Sequence, residues 1–186
     1  MKITRCLLLA IPLLCMGGHA WAFRLRLNGL VTEYSTQQPM QAARVRIYKD
    51  GLLLAQQASN AAGKYAMMLE NNAHYVLRVD APGYQGKSIM VDTHGKEWQG
   101  DKRIAELLVE MRLPSLRTGI DLSYFDLPLG LARFEPATGF TRWNKTYARS
   151  LAMGAHELME QYVRQEAEIP AAGAEAHRRV MPAIRL

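Results

Sequence analysis

The chain has 186 residues, with 23 Lys and Arg against 17 Asp and Glu, and a formal net charge of +6. That length builds one hydrophobic core and is short for two. The basic residues are scattered, with no block of like charge and no basic stripe interleaved with aromatics, which speaks against nucleic acid as a partner.

Residues 1–22 read as a secretory signal. Lys2 and Arg5 give a positive start, and "CLLLAIPLLCM" over 6–16 is an apolar run too short to span a bilayer as a helix. "AWA" over 20–22 supplies a small-x-small cleavage pattern, so cleavage is expected after Ala22 and the mature chain at Phe23. Cys15 follows Leu14 rather than a small residue, which disfavours a lipoprotein. Both cysteines, Cys6 and Cys15, lie in this leader, so no disulfide or Cys-based metal site is expected in the mature chain. No later segment is apolar and long enough to cross a membrane as a helix, and a periplasmic or secreted product is expected.

From 23 to 114 the hydrophobic period is two. "RLRLNGLVT" sets Leu25, Leu27 and Val31 against Arg24, Arg26 and Asn28; "ARVRIYK" sets Ala43, Val45 and Ile47 against Arg44, Arg46 and Tyr48. "KYAMML" and "HYVLRVD" repeat the rhythm through Tyr65, Met67, Leu69, Tyr75, Leu77 and Val79. "YQGKSIMVD" adds Ile89 and Val91, and "IAELLVEMRL" closes with Leu107, Val109, Met111 and Leu113. Such alternation marks strands with one buried and one wet face. Asp50-Gly51 is a hairpin signal that separates "ARVRIYK" from a further strand, "LLLAQQA" over 52–58; "NAAG" and "ENNA" are turns, and Pro82 ends a strand because it has no N–H for the ladder. Seven short strands are predicted, forming an antiparallel β-sandwich.

Residues 115–144 are rich in Gly, Pro and aromatics. Phe125, Leu127, Leu129, Leu131, Phe134, Phe140 and Trp143 are too apolar for a free linker, so an irregular extension packed on the sandwich is predicted. Residues 145–169 switch to helical spacing, with Tyr147, Leu151, Ala155, Leu158, Met159 and Tyr162 on one face. Pro170 is expected to stop that helix, and 170–186 to form a flexible tail.

"LNGLVTEYSTQQPMQAARVRIYKDG", "SNAAGKYAMML" and "YVLRVDAPGYQ" together resemble the carboxypeptidase regulatory-like family, a transthyretin-like (prealbumin-like) β-sandwich. The resemblance covers roughly residues 24–113. Ser59 and Asn60 stand where that family normally has Asp or Thr, in keeping with side-chain capping of a turn. The family's members mostly serve as folding, docking or carbohydrate-adjacent modules, so the resemblance implies binding or scaffolding.

Chemistry-bearing constellations are sparse. "DTHGKE" gathers Asp92, His94 and Glu97 in a polar loop, a set that suits a divalent ion but has no second histidine near in sequence. "HELME" has His156 and Glu160 where a zinc-protease motif needs two histidines, and reads as an i,i+4 surface contact. His74 reads as a surface residue at a turn. Ser88 and Ser123 have no histidine singled out by spacing, and no Gly-x-Ser-x-Gly elbow occurs. The chain ends "MPAIRL", unlike the Tyr-Arg-Gly-Ser type ending of transthyretin-like hydrolases. Its first strand carries Arg24 and Arg26, not the lysine of isopeptide-linked adhesins. No catalytic residue, cofactor or metal is therefore expected, and the chain is expected not to be an enzyme. Trp98, in the otherwise polar "GKEWQGD", with Tyr84, Tyr48 and Trp143, forms the candidate binding surface. The expected function is a non-catalytic binding or assembly module of the cell envelope. Its expected partner is another envelope or outer-membrane protein, reached through an edge strand or the C-terminal helix; the alternative is a carbohydrate-binding module around Trp98.

Overall fold

The computed structural model describes residues 24–95, 105–135 and 140–180. Among these residues are nine strands, a short 3-10 helix (Ser123–Asp126) and one α-helix, α1 (Lys145–Val180). The strands are β1 (Arg24–Glu33), β2 (Arg44–Lys49), β3 (Leu52–Ala58), β4 (Lys64–Glu70), β5 (His74–Asp80), β6 (Lys87–Asp92), β7 (Ala105–Leu113), β8 (Pro128–Glu135) and β9 (Phe140–Trp143). They form a three-stranded sheet, β4-β1-β7, and a six-stranded sheet, β3-β2-β5-β6-β8-β9.

The period of two puts the expected residues inside. Leu25, Leu27, Val31, Val45, Ile47, Leu69, Tyr75, Leu77, Val79, Val91, Leu107 and Leu113 belong to one continuous core between the sheets. The turns follow their residue chemistry. Asp50 and Gly51 both have positive φ, +49° and +85°, as a two-residue hairpin that matches strand twist requires. Asn60 Oδ1 accepts the N–H groups of Ala62 and Lys64 at 3.0 and 2.9 Å, capping its turn as expected, whereas Ser59 Oγ accepts the N–H of Ala43 at 2.9 Å and so ties the turn to a distant segment instead. Gly29 is required by a neighbour: a Cβ there would fall inside the ring of Tyr65, its cross-strand partner.

Three expectations need correction. The sheets are mixed rather than antiparallel, because β1 pairs with β7 and β6 with β8 in parallel. A period of two reports which face of a strand is buried, not which neighbour it takes, and both parallel pairs are joined by the long crossovers such pairing needs. Residues 115–144 are not simply an irregular cover: β8 and β9 extend the larger sheet, with Ala132 and Phe134 turned into the core. Pro128 and Gly130 read as breakers in sequence, but a proline is tolerated as the first residue of a strand, and Trp143 packs over Gly130. Helix α1 runs through Pro170 to Val180, past the expected end at 169 and into the expected tail. One proline removes one helical hydrogen bond, and the alanine-rich residues after it favour helix.

Asn144 caps α1, accepting the N–H groups of Thr146 and Tyr147 at 3.1 and 3.0 Å. The predicted helix face docks on the chain itself. Tyr162 is fully buried with Leu122 and Phe125, and Ala155, Leu158, Met159, Leu129 and Tyr34 pack around them. The Tyr162 hydroxyl accepts the Ser115 N–H at 3.1 Å. Among the described residues no helix is long and apolar enough to cross a membrane.

Candidate functional site

On the outer face of the larger sheet three strands contribute one row of side chains. The register sets His74 of β5 opposite Asp92 of β6, and Asp92 beside Arg133 of β8. All three fall out of phase with the core residues Tyr75, Val91, Ala132 and Phe134, so they point away from the other sheet. His94, two residues on, folds back over the row. Asp92 Oδ1 accepts the His94 N–H at 3.0 Å, lies 2.9 Å from His94 Nδ1 and lies 3.6 Å from His74 Nδ1. Its other oxygen is 3.4 Å from Arg133 Nε. The two imidazoles tilt at 47° with centroids 4.4 Å apart. Burial would raise the Asp92 carboxyl, but the His94 backbone N–H, the His94 ring and the charge of both histidines outweigh it and hold it below the usual carboxylate range. The carboxylate side chain is almost covered, while His74 and His94 remain exposed.

This cluster overlaps the loop set read from "DTHGKE" but replaces one member. Glu97 lies outside the described residues, and His74 takes the third place. Sequence spacing separates His74 from Asp92; strand register joins them. The turn residues "APGYQG" between β5 and β6 carried the signal, since they imply a hairpin that brings the start of one strand to the end of the next.

The candidate aromatics do not converge. Trp98 lies outside the described residues. Tyr48 follows Ile47 on β2 and faces outward, whereas Trp143 pairs with Ala132 on β9 and faces inward over Gly130 and Ile89. The two residues therefore lie on opposite faces of one sheet, with β5, β6 and β8 between their strands. Tyr84 is bridged to Ser115 and borders a hollow that also holds Arg44, Arg46 and Asp80. His156 and Glu160 make the predicted helical contact, Nε2 to Oε1 at 3.2 Å.

Two further features were legible but not singled out. Lys87 shares the inward phase of Ile89 and Val91 and is nearly buried, its ammonium 4.5 Å from the centre of the Phe125 ring and 5.8 Å from that of Tyr34. It borders a cavity of about 510 Å³ between the sheets and α1. The other feature is β3. Among the described strands it has a neighbour on one side only, and Leu52, Leu53 and Leu54 are 77, 55 and 53% exposed. Beside it, a hollow of about 900 Å³ on the outer face of the smaller sheet is walled by Leu30, Ala66, Leu108, Gln57 and Ala58.

No family model matches the chain. No curated protein matches it. Solved structures of similar fold include catechol 1,2-dioxygenase from Acinetobacter sp. ADP1 inhibited by bound mercury. That structure is 15% identical, with a TM-score of 0.39 over 56% of this chain and 57% of that one. Wild-type catechol 1,2-dioxygenase from Acinetobacter radioresistens is 13% identical, with a TM-score of 0.41 over 52% of this chain and 53% of that one. The Bacillus anthracis TIE protein is 11% identical, with a TM-score of 0.39 over 50% of this chain and 18% of that one. The chain thus spans little more than half the length of the dioxygenases. The expectation that the chain is not an enzyme does not stand, since the solved structures it is similar to include enzymes, the catechol 1,2-dioxygenases. The likeness covers about half of the chain at low identity, and no activity passes with it.

Proposed function

We propose that the chain is an exported β-sandwich of the cell envelope that binds or assembles with another envelope protein through the free edge of β3. Export by residues 1–22, with cleavage after Ala22 and a periplasmic or secreted mature chain, is part of this reading. So is membership of the carboxypeptidase regulatory-like family, which the order of strands and turns supports.

The observation that carries the reading is the edge itself. Natural sheets protect a free edge with lysine, proline, a sharp bulge or a covering segment, because its unpaired N–H and C=O groups template further pairing. The segment "LLLAQQA" has neither lysine nor proline, and six of its seven residues are exposed, so the bulge that Leu54 makes in its pairing with β2 is its one edge-blunting feature. Strand addition to such an edge supplies main-chain hydrogen bonds, while the exposed leucines and the adjoining hollow supply apolar contact. The alternative contact, through α1, is less favoured because the apolar face of that helix is already occupied by Leu122, Phe125 and Leu129. A glycan reading gains no support from Tyr48 and Trp143, which lie on opposite faces of the larger sheet.

The test compares the mature protein with Leu53→Lys/Leu54→Lys in co-purification from the envelope of the native host. Exposed side chains tolerate the change, so folding should persist by circular dichroism. The expected result is loss of a stoichiometric envelope partner in the double variant and its retention in Met153→Lys on α1. Unchanged recovery with both variants would overturn the reading.

A further inference from the structure

We propose that His74, Asp92 and His94 form a binding site for one divalent transition-metal cation, with zinc the best fit, that clamps the start of β5 to the end of β6. The proposal is independent of the β3 edge. It stands on geometry: the ligand atoms offered by these three side chains all lie within 4.8 Å of one another. A tetrahedral zinc with bonds near 2.0–2.1 Å holds its ligand atoms roughly 3.3 Å apart. The Asp92 oxygen, at 2.9 Å from one imidazole nitrogen and 3.6 Å from the other, brackets that spacing.

The donor set fits the class of ion. Two imidazoles and one carboxylate suit zinc and its first-row neighbours better than calcium or magnesium, which take mostly oxygen. The carboxylate is also held in place. Arg133 engages Oδ2 while Oδ1 faces the histidines, the kind of outer contact that orients a ligating group. In the cation-free protein His94 can donate its Nδ1 proton to Asp92. With a cation on Nδ1 the ring carries its proton on Nε2, so the same three side chains serve both states. Three protein ligands leave a fourth position, and the exposure of His74 and His94 gives the ion a path from solvent. Pairing of β5 and β6 already aligns His74 with Asp92, so the site is largely prebuilt and little ordering is needed on binding.

The test uses the untagged mature chain, stripped with chelator and titrated with zinc chloride by calorimetry. One saturable equivalent per chain is expected. His74→Gln, His94→Gln and Asp92→Asn should each weaken binding at least about tenfold, while His156→Gln on α1 leaves it unchanged. Histidine ring resonances of the unmodified protein give a reading that does not depend on any variant folding. Zinc should shift the resonances of His74 and His94 and leave that of His156 in place. Non-saturable uptake, a stoichiometric site that survives His74→Gln and Asp92→Asn, or zinc shifts confined to other histidines would overturn the proposal.

Discussion

Lys87 shows how one residue can oppose the fold that holds it. Burial, aided by the charge of Arg112, pushes its ammonium down from 10.5 to about 8. The unfolded chain therefore keeps its proton to higher pH than the folded chain, and stability should rise as pH climbs from about 8 towards 10.5. At neutral pH the charged form is a penalty of up to about 3 kcal/mol, partly offset by about 1 kcal/mol from the Phe125 and Tyr34 rings. Lys87→Met should thus stabilise the protein by roughly 2 kcal/mol at pH 7, with the gain fading above about pH 10, as measured by urea unfolding at both values. Tyr65 makes a second case. Its hydroxyl is buried without a hydrogen-bond partner, and burial pushes the phenol up. Tyr65→Phe should stabilise by about 1 kcal/mol, whereas Gly29→Ala, which drives a methyl into the same ring, should destabilise by about 3 kcal/mol. At this scale the sequence was readable where a residue acts on its own turn, as at Asp50 and Asn60. His74 was not, because its partner is set by register.

Elements were legible in proportion to how far their signal is local. The buried face of each strand in the first half follows from alternation, and the docked face of α1 from its 3.6-residue spacing. What alternation leaves open is the neighbour: the parallel pairs β1 with β7 and β6 with β8 depend on crossovers through other parts of the molecule. β8 was hidden by Pro128 and Gly130, whose breaker character the sheet absorbs at its start and under Trp143. Helix α1 is fixed through Tyr162, whose ring is stacked by Arg117 at 3.7 Å and whose hydroxyl serves Ser115. Tyr162→Ala should cost roughly 3–5 kcal/mol and release the helix before the sandwich melts. Limited proteolysis would then cut first between residues 145 and 167, with the strands of residues 24–95 surviving.

For the molecule as a whole, the sandwich closes its core and leaves the apolar strand β3 at an edge of the larger sheet with no described strand beyond it. Its core joins both sheets through Leu25, Leu27, Val45, Leu77 and Val79, so the scaffold that presents β3 is rigid, and β3 itself has a single neighbour among the described strands. The edge was legible in "LLLAQQA" only as a strand after an Asp-Gly turn; that no other described strand covers it is a property of the assembled sheet. Site-directed photo-crosslinking in living cells tests this most directly, with a photoreactive residue placed at Leu53 on β3 or at Met153 on the outer side of α1. A discrete adduct with one envelope protein from position 53, and none from position 153, is the expected result. Adducts from 153 alone, or no adduct from 53, would contradict the edge of β3 as the binding surface.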